Sequence, residues 1–224
     1  MPEVFTILSD LDGVQAPTHE PVMIETARRL ATRNYNCPIQ YSDLTSWHTI
    51  YRTSLAMTQD REFTQWVNQS WFDPNILIQS RPYTGALLAL RTMNNIKGGI
   101  VEVHTVTSRI PALKESTLVW QQKHAPWHMP NRLHLRSEQE VDGGLTGDQF
   151  KANAARNLRA NVFFEDNPDT WKCLVEAGIP TVLIAQPWNF TQEELDPYRC
   201  VNSFASFIIP SLVLLRNWCH SKKA

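Results

Sequence analysis

The stretch ILSDLDGVQAPT, residues Ile7 to Thr18, places two carboxylates two positions apart, directly after an apolar run and directly before a glycine. The run itself, VFTILSD, mixes β-branched and aromatic residues and reads as a buried strand. In extended backbone, residues i and i+2 point the same way, so Asp10 and Asp12 can face one pocket. Gly13 lets the chain turn away tightly. Two adjacent carboxylates repel each other, and one resists ionisation. A divalent cation resolves the conflict: it holds one carboxylate and leaves the other to carry a proton.

Working outward, the next strand of this kind comes late, in GGIVEVHTVTSR from Gly98 to Arg109. The intervening block is of a different character. PVMIETARRLATR, SDLTSWHTIYRTSLAM, DREFTQWVNQSWF and TGALLALRTMNN carry apolar residues at helical spacing, the second with Ser42 or Asp43 as its expected cap. After Arg109 the pattern alternates. Helices are predicted in PALKESTLVWQQKHA, GDQFKANAARNLRA, TWKCLVEAG and SFIIPSLVLLRNW. Strands are predicted in NRLHLRS, NVFFED, IPTVLIAQ and YRCVNS. Alternating strands and helices predict an α/β fold with a doubly wound, Rossmann-like parallel sheet. In such sheets ligands bind beyond the carboxyl ends of the strands.

The polar punctuation falls at those ends. Thr107 and Ser108 close the second strand, where hydroxyls and amides can hold phosphate oxygens. Lys151, near the start of a helix, can supply a point charge to the same anion. VFFEDNPD sets Glu165, Asp166 and Asp169 at a third strand end, and hard oxygen donors of this kind suit Mg2+.

Composition bounds the rest. The chain of 224 residues suits one domain with a sizeable insertion, or two small ones. It is 42% hydrophobic and 19% charged, enough for a real core. A net charge of −1 gives no basic field for a long nucleic acid. Cys37, Cys173, Cys200 and Cys219 are scattered without zinc spacing and read as free buried thiols of a reducing compartment. No basic signal segment opens the chain, and FASFIIPSLVLL is too short to span a bilayer. A soluble, cytoplasmic protein with no membrane partner is expected.

The motifs at Asp10, Asp12, Thr107, Lys151 and Asp166 together resemble those of the haloacid dehalogenase-like (HAD) phosphohydrolases. The resemblance runs along most of the chain. It implies phosphoryl transfer through an aspartyl-phosphate, with Asp10 as nucleophile and Asp12 as general acid/base. Thr107 would bind the phosphoryl group, Lys151 would steady nucleophile and phosphate, and Asp166 would be an acidic metal ligand beside Glu165. Mg2+ would be held by Asp10, the backbone carbonyl of Asp12 and Asp166. The helical block sits where this family places a small cap, giving a core of 1–16 and 85–224 and a cap of 17–84. SDLTSWH, RPYTGALLAL, VTSR and GIPTVLIAQPWN resemble the 5′(3′)-deoxyribonucleotidase group. That implies a nucleoside monophosphate as the partner, and a homodimer is left open. Glu165 departs from that group's usual aspartate.

The cap aromatics Trp47, Tyr51, Trp66, Trp71 and Phe72 can stack on a base or form the cap's own core. Trp71 and Phe72, ahead of Asp73-Pro74, are the best substrate-binding pair. Arg109 can contact substrate or pair with an acid. His124 and His128 have a metal-like spacing interrupted by Pro126, and His104 reads as a satisfied strand histidine. The alternatives are phosphatase action on a sugar phosphate, action on nucleic-acid 3′ ends, or binding of a phospho-ligand or protein partner without turnover.

Overall fold

The computed structural model describes residues 3–35, 40–46, 48–190 and 192–222. Trp47 and Cys37 lie outside the described residues. Strand β1 (Phe5–Ser9) is buried along its whole length. A strand so placed belongs at the centre of a parallel sheet covered on both faces. It pairs in parallel with β2 (Val101–Thr107) on one side and β4 (Val162–Glu165) on the other. With β3 (Leu133–Leu135), β5 (Thr181–Ile184) and β6 (Arg199–Cys200) the order is β3-β2-β1-β4-β5-β6, and every pairing is parallel. The doubly wound, Rossmann-like sheet is thus observed. The chain winds outward from β1 to β3 and then crosses back to β4. The winding reverses between β1 and β4, and a crevice opens there at the strands' carboxyl ends.

Between β1 and β2 run α1 (His19–Ala31), α2 (Thr49–Thr58), α3 (Arg61–Ser70), α4 (Pro74–Leu77) and α5 (Thr84–Asn94). The first four close around Val22, Leu30, Ile50, Phe63, Val67 and Ile76, joined by Trp188 from beyond β5. The rest of the chain supplies α6 (Lys114–His124), α7 (Glu138–Asp142), α8 (Gly147–Asn157), α9 (Pro168–Glu176) and α10 (Phe204–Ser221). Side chains alternate across β1 as the pleat requires. Phe5 and Ile7 pack with Leu90 of α5 and Phe207 of α10, whereas Leu8 packs with Phe150 of α8 and Leu174 of α9.

Two local expectations are corrected. Neither Ser42 nor Asp43 caps α2. They belong to a 3-10 turn, Tyr41–Asp43, in which Asp43 accepts from the Gln40 amide at 2.9 Å, and α2 begins only at Thr49. Helix α7 went unpredicted, although Ser137 and Glu140 form a capping box at its start. The thiols of Cys173, Cys200 and Cys219 are free but half-buried rather than buried. Among the described residues no helix is long and apolar enough to cross a membrane.

Candidate active site

Asp10 leaves the end of β1, where its amide donates to the Phe164 carbonyl of β4 at 2.9 Å. That bond ties the motif to the crevice. The turn that follows depends on Gly13, at φ +77°, where an added Cβ would fall on the Asp166 carboxylate. Gln15, buried behind the turn, donates to the Asp10 carbonyl at 3.1 Å and to Thr105 Oγ1 at 3.0 Å.

Across the crevice, α8 is capped by Thr146, whose hydroxyl accepts from the Gln149 amide at 3.2 Å. Its second turn aims Lys151 inward. The ammonium donates to Asp10 Oδ2 at 2.7 Å and to Glu165 Oε2 at 2.8 Å. The other oxygen of Glu165 accepts from the amides of Asp166 at 3.1 Å and Asn167 at 3.0 Å. Glu165 therefore binds the lysine and shapes the loop after β4. Asp166 is held in turn by the Trp188 indole N–H, 2.9 Å from Oδ2, and by Asn189, 2.9 Å from its carbonyl.

Asp10, Glu165 and Asp166 are all buried and can bring one oxygen each within 4.8 Å of one another. Burial raises the Asp10 carboxyl to about 8; Lys151 opposes the shift, and the charges of Glu165 and Asp12 add to it. Asp166 is raised by burial and by Glu165 and Asp10. Burial lowers the Lys151 ammonium, but the two carboxylates beside it outweigh that and the net shift is upward. With all three ionised, three carboxylates around one ammonium carry two negative charges in excess, and burial resists that state until a cation balances it. Asp10 Oδ1 is buried with no hydrogen-bond partner. An all-oxygen donor set, an orphaned carboxylate oxygen and a deficit of two charges fit a hard divalent cation. Asp169, expected among the ligands, does not join them: it is exposed on the first turn of α9, where its amide donates to the Asn167 cap at 2.9 Å.

The Asp12 carboxylate turns the other way. Arg109 grips it side-on, Nε at 3.0 Å from Oδ2 and a terminal nitrogen at 2.6 Å from Oδ1. Thr107 Oγ1 stands 3.5 Å from the same Oδ2. Of the two expectations for Arg109, the ion pair is observed, and the residue also lines the cleft.

That cleft, about 340 Å³, is lined by Asp10, Asp12, Ser108, Arg109, Lys151 and Asp166 from the sheet side. His48, Asn68, Trp71, Phe72 and Leu77 face them from the helical block. Trp71 and Phe72 thus reach the site. Trp66 does not: it packs in the helical block's core with the Arg29 guanidinium 3.7 Å from its ring centroid. Tyr51 packs against the same core and lines a separate groove.

The two helix-spaced histidines form no metal site. His124 lies against Trp120, ring centroids 5.0 Å apart, whereas buried His128 bonds Gln121 at 2.8 Å and Thr105 at 3.2 Å. His104 is satisfied by His134 at 3.0 Å. Sequence reading missed Gln15, His48, Asn68, Arg136 and Trp188. The available signal for Trp188 was AQPWN directly after β5, a polar and aromatic run at a strand's carboxyl end.

No family model matches the chain, and no curated protein matches it. Solved structures do. A HAD family hydrolase from Deinococcus radiodurans R1, solved with bound phosphate and sodium, superposes with a TM-score of 0.64 at 14% identity over 92% of this chain and 93% of its own. A HAD hydrolase of family IA, variant 3, from Entamoeba histolytica gives a TM-score of 0.59 at 16% identity over 93% of this chain and 99% of its own. CbbY from Rhodobacter sphaeroides, in complex with phosphate, gives 0.56 at 14% identity over 90% and 95%. At these identities the likeness is one of architecture: the chain has the fold of the haloacid dehalogenase-like hydrolases.

Proposed function

We propose that this protein is a divalent-metal-dependent phosphomonoesterase that works through a phosphorylated aspartate and acts on nucleoside monophosphates. The observation that carries the reading is the buried group at the switch point: Asp10 bound to Lys151 at 2.7 Å, its second oxygen unpartnered, with Asp166 alongside. Mg2+ held by Asp10, Asp166 and the Asp12 carbonyl would neutralise the substrate phosphate. The Asp10 carboxylate attacks phosphorus, forming an acyl phosphate as the ester P–O bond breaks. Asp12 gives a proton to the departing oxygen and then takes one from the water that opens the acyl phosphate. Lys151, Thr107 and the amides after it hold the equatorial oxygens while charge redistributes. In the same reading, 17–84 is a cap over a core of 1–16 and 85–224. The rings of Trp71 and Phe72 in the cleft wall support a planar leaving group.

A sugar phosphate is the second reading. It is favoured by His48 and Asn68, polar groups in the same wall that suit hydroxyls. Phosphate release with Mg2+ from a panel of nucleoside monophosphates and sugar phosphates, with Asp10→Asn as control, separates the two. Nucleotide-selective release that disappears in the variant upholds the proposal. Release from sugar phosphates alone moves the substrate to the second reading. No release from any member of the panel overturns both.

A further inference from the structure

The contact between Arg109 and Asp12 has the form of a phosphate site filled by the protein itself. The guanidinium presents two parallel N–H groups to the carboxylate at 2.6 and 3.0 Å. This fork geometry fits a carboxylate and a phosphate equally. The remaining terminal nitrogen donates to Thr117 Oγ1 at 2.9 Å, so the arginine is also anchored from behind. Its side chain is 5% exposed, whereas that of Asp12 is 25% exposed. The fixed member of the pair is therefore the cation, and the member free to leave is the carboxylate, which borders the cleft. Arg136 braces the same loop by donating to the Ser108 carbonyl at 2.7 and 3.0 Å. Thr107, the other donor expected to meet a phosphoryl oxygen, stands 3.5 Å from the same carboxylate.

We infer that Asp12 occupies the place of a phosphoryl group on Arg109, and that a phosphoester entering the cleft exchanges with it. A phosphate dianion offers more charge and more acceptor oxygens than a carboxylate. It takes over the two N–H groups of Arg109, and the Asp12 side chain swings toward the leaving-group side. The general acid/base of the proposed reaction is then delivered by the substrate's own binding. Arg109 serves as both phosphate ligand and positioning residue. This inference rests on the phosphatase reading above.

Equilibrium binding of inorganic phosphate, measured by calorimetry with Mg2+ present, tests it in a double-mutant cycle. The proteins are the wild type, Asp12→Asn, Arg109→Gln and the double variant, each checked for folding by circular dichroism. If the two anions compete, Asp12→Asn tightens phosphate binding about tenfold, and most of that gain vanishes in the Arg109→Gln background. An equal gain in both backgrounds overturns the inference, because removal of any nearby negative charge would do the same. So does the absence of a gain. Where Arg109→Gln fails to fold, Arg109→Lys keeps the charge without the fork, and the gain is expected to shrink. Failure of every protein, the wild type included, to bind phosphate overturns the phosphatase reading and this inference together. Phosphate binding without coupling overturns the inference alone.

Discussion

The indole N–H of Trp188 donates to Oδ2 of Asp166 at 2.9 Å, joining the loop after β5 to the carboxylate after β4. This bond holds the carboxylate that stands beside Asp10 and Glu165. Outer partners of this kind orient metal ligands and tune their affinity. Trp188→Phe removes the donor together with part of the indole's volume from the buried core of the helical block. It is expected to raise the Mg2+ concentration needed for half-maximal phosphate release by about tenfold, and to cost about 1–2 kcal/mol of stability in chelator through the smaller ring. An unaltered Mg2+ requirement would remove Asp166 from the metal site.

Lys151 is the counter-charge for two buried carboxylates. Lys151→Met preserves the aliphatic stem and leaves Asp10 and Glu165 facing each other without it. Breaking a buried pair from one side costs about 3–5 kcal/mol. Urea unfolding in chelator should show a loss of that order, together with loss of phosphate release. Adding Glu165→Gln should restore part of the stability and none of the activity, because the second change relieves the repulsion without replacing the cation.

His128 makes stability depend on pH. Burial lowers its imidazole to about 4, with His104, Arg132 and His134 adding their positive charge and the Met129 carbonyl opposing the shift. The unfolded chain titrates near the ordinary value, about 6.5. Between these values the unfolded state binds more protons, so stability is complete above about 6.5 and falls as pH drops toward 4. His128→Gln should flatten that part of the curve. The difference between wild type and variant should change by roughly 1–3 kcal/mol between pH 7 and pH 4.5, as read by denaturant unfolding. Parallel curves would place the acid sensitivity elsewhere.

Phe72 is 53% exposed at the cleft rim, so its ring can be removed without opening a core cavity. If it stacks on a base, Phe72→Ala should lower kcat/KM for nucleoside monophosphates about tenfold and leave ribose 5-phosphate turnover nearly unchanged. An equal loss on both substrates would assign it to closing the cleft instead.

Much of the fold was legible because its signals are local. VFTILSD reads as a covered strand because the run is short and mixes β-branched and aromatic residues. The polar residues at the ends of β1, β2 and β4 mark where the sheet stops and a site begins. Asp10, Thr107 and Asp166 could be named from such positions. Asp169 misled for the same reason: it stands four residues past Glu165, but the Asn167 cap starts α9 and carries it to the surface. The start of α2 misled because a favourable cap sequence at Ser42 and Asp43 was spent on a 3-10 turn.

The sequence by itself determined the element types, the parallel sheet and the residue types of the chemistry, since periodicity, caps and strand ends depend on near neighbours. The tertiary structure alone decided the partnerships. Whether Arg109 faces Asp12 depends on β1 lying beside β2, and the two residues are 97 positions apart in the chain. That Trp188 steadies Asp166 depends on β5 pairing with β4, and that Glu165 grips Lys151 depends on how α8 crosses the sheet. No local propensity encodes these contacts. They arise when packing brings distant polar groups together and burial requires each of them to find a partner.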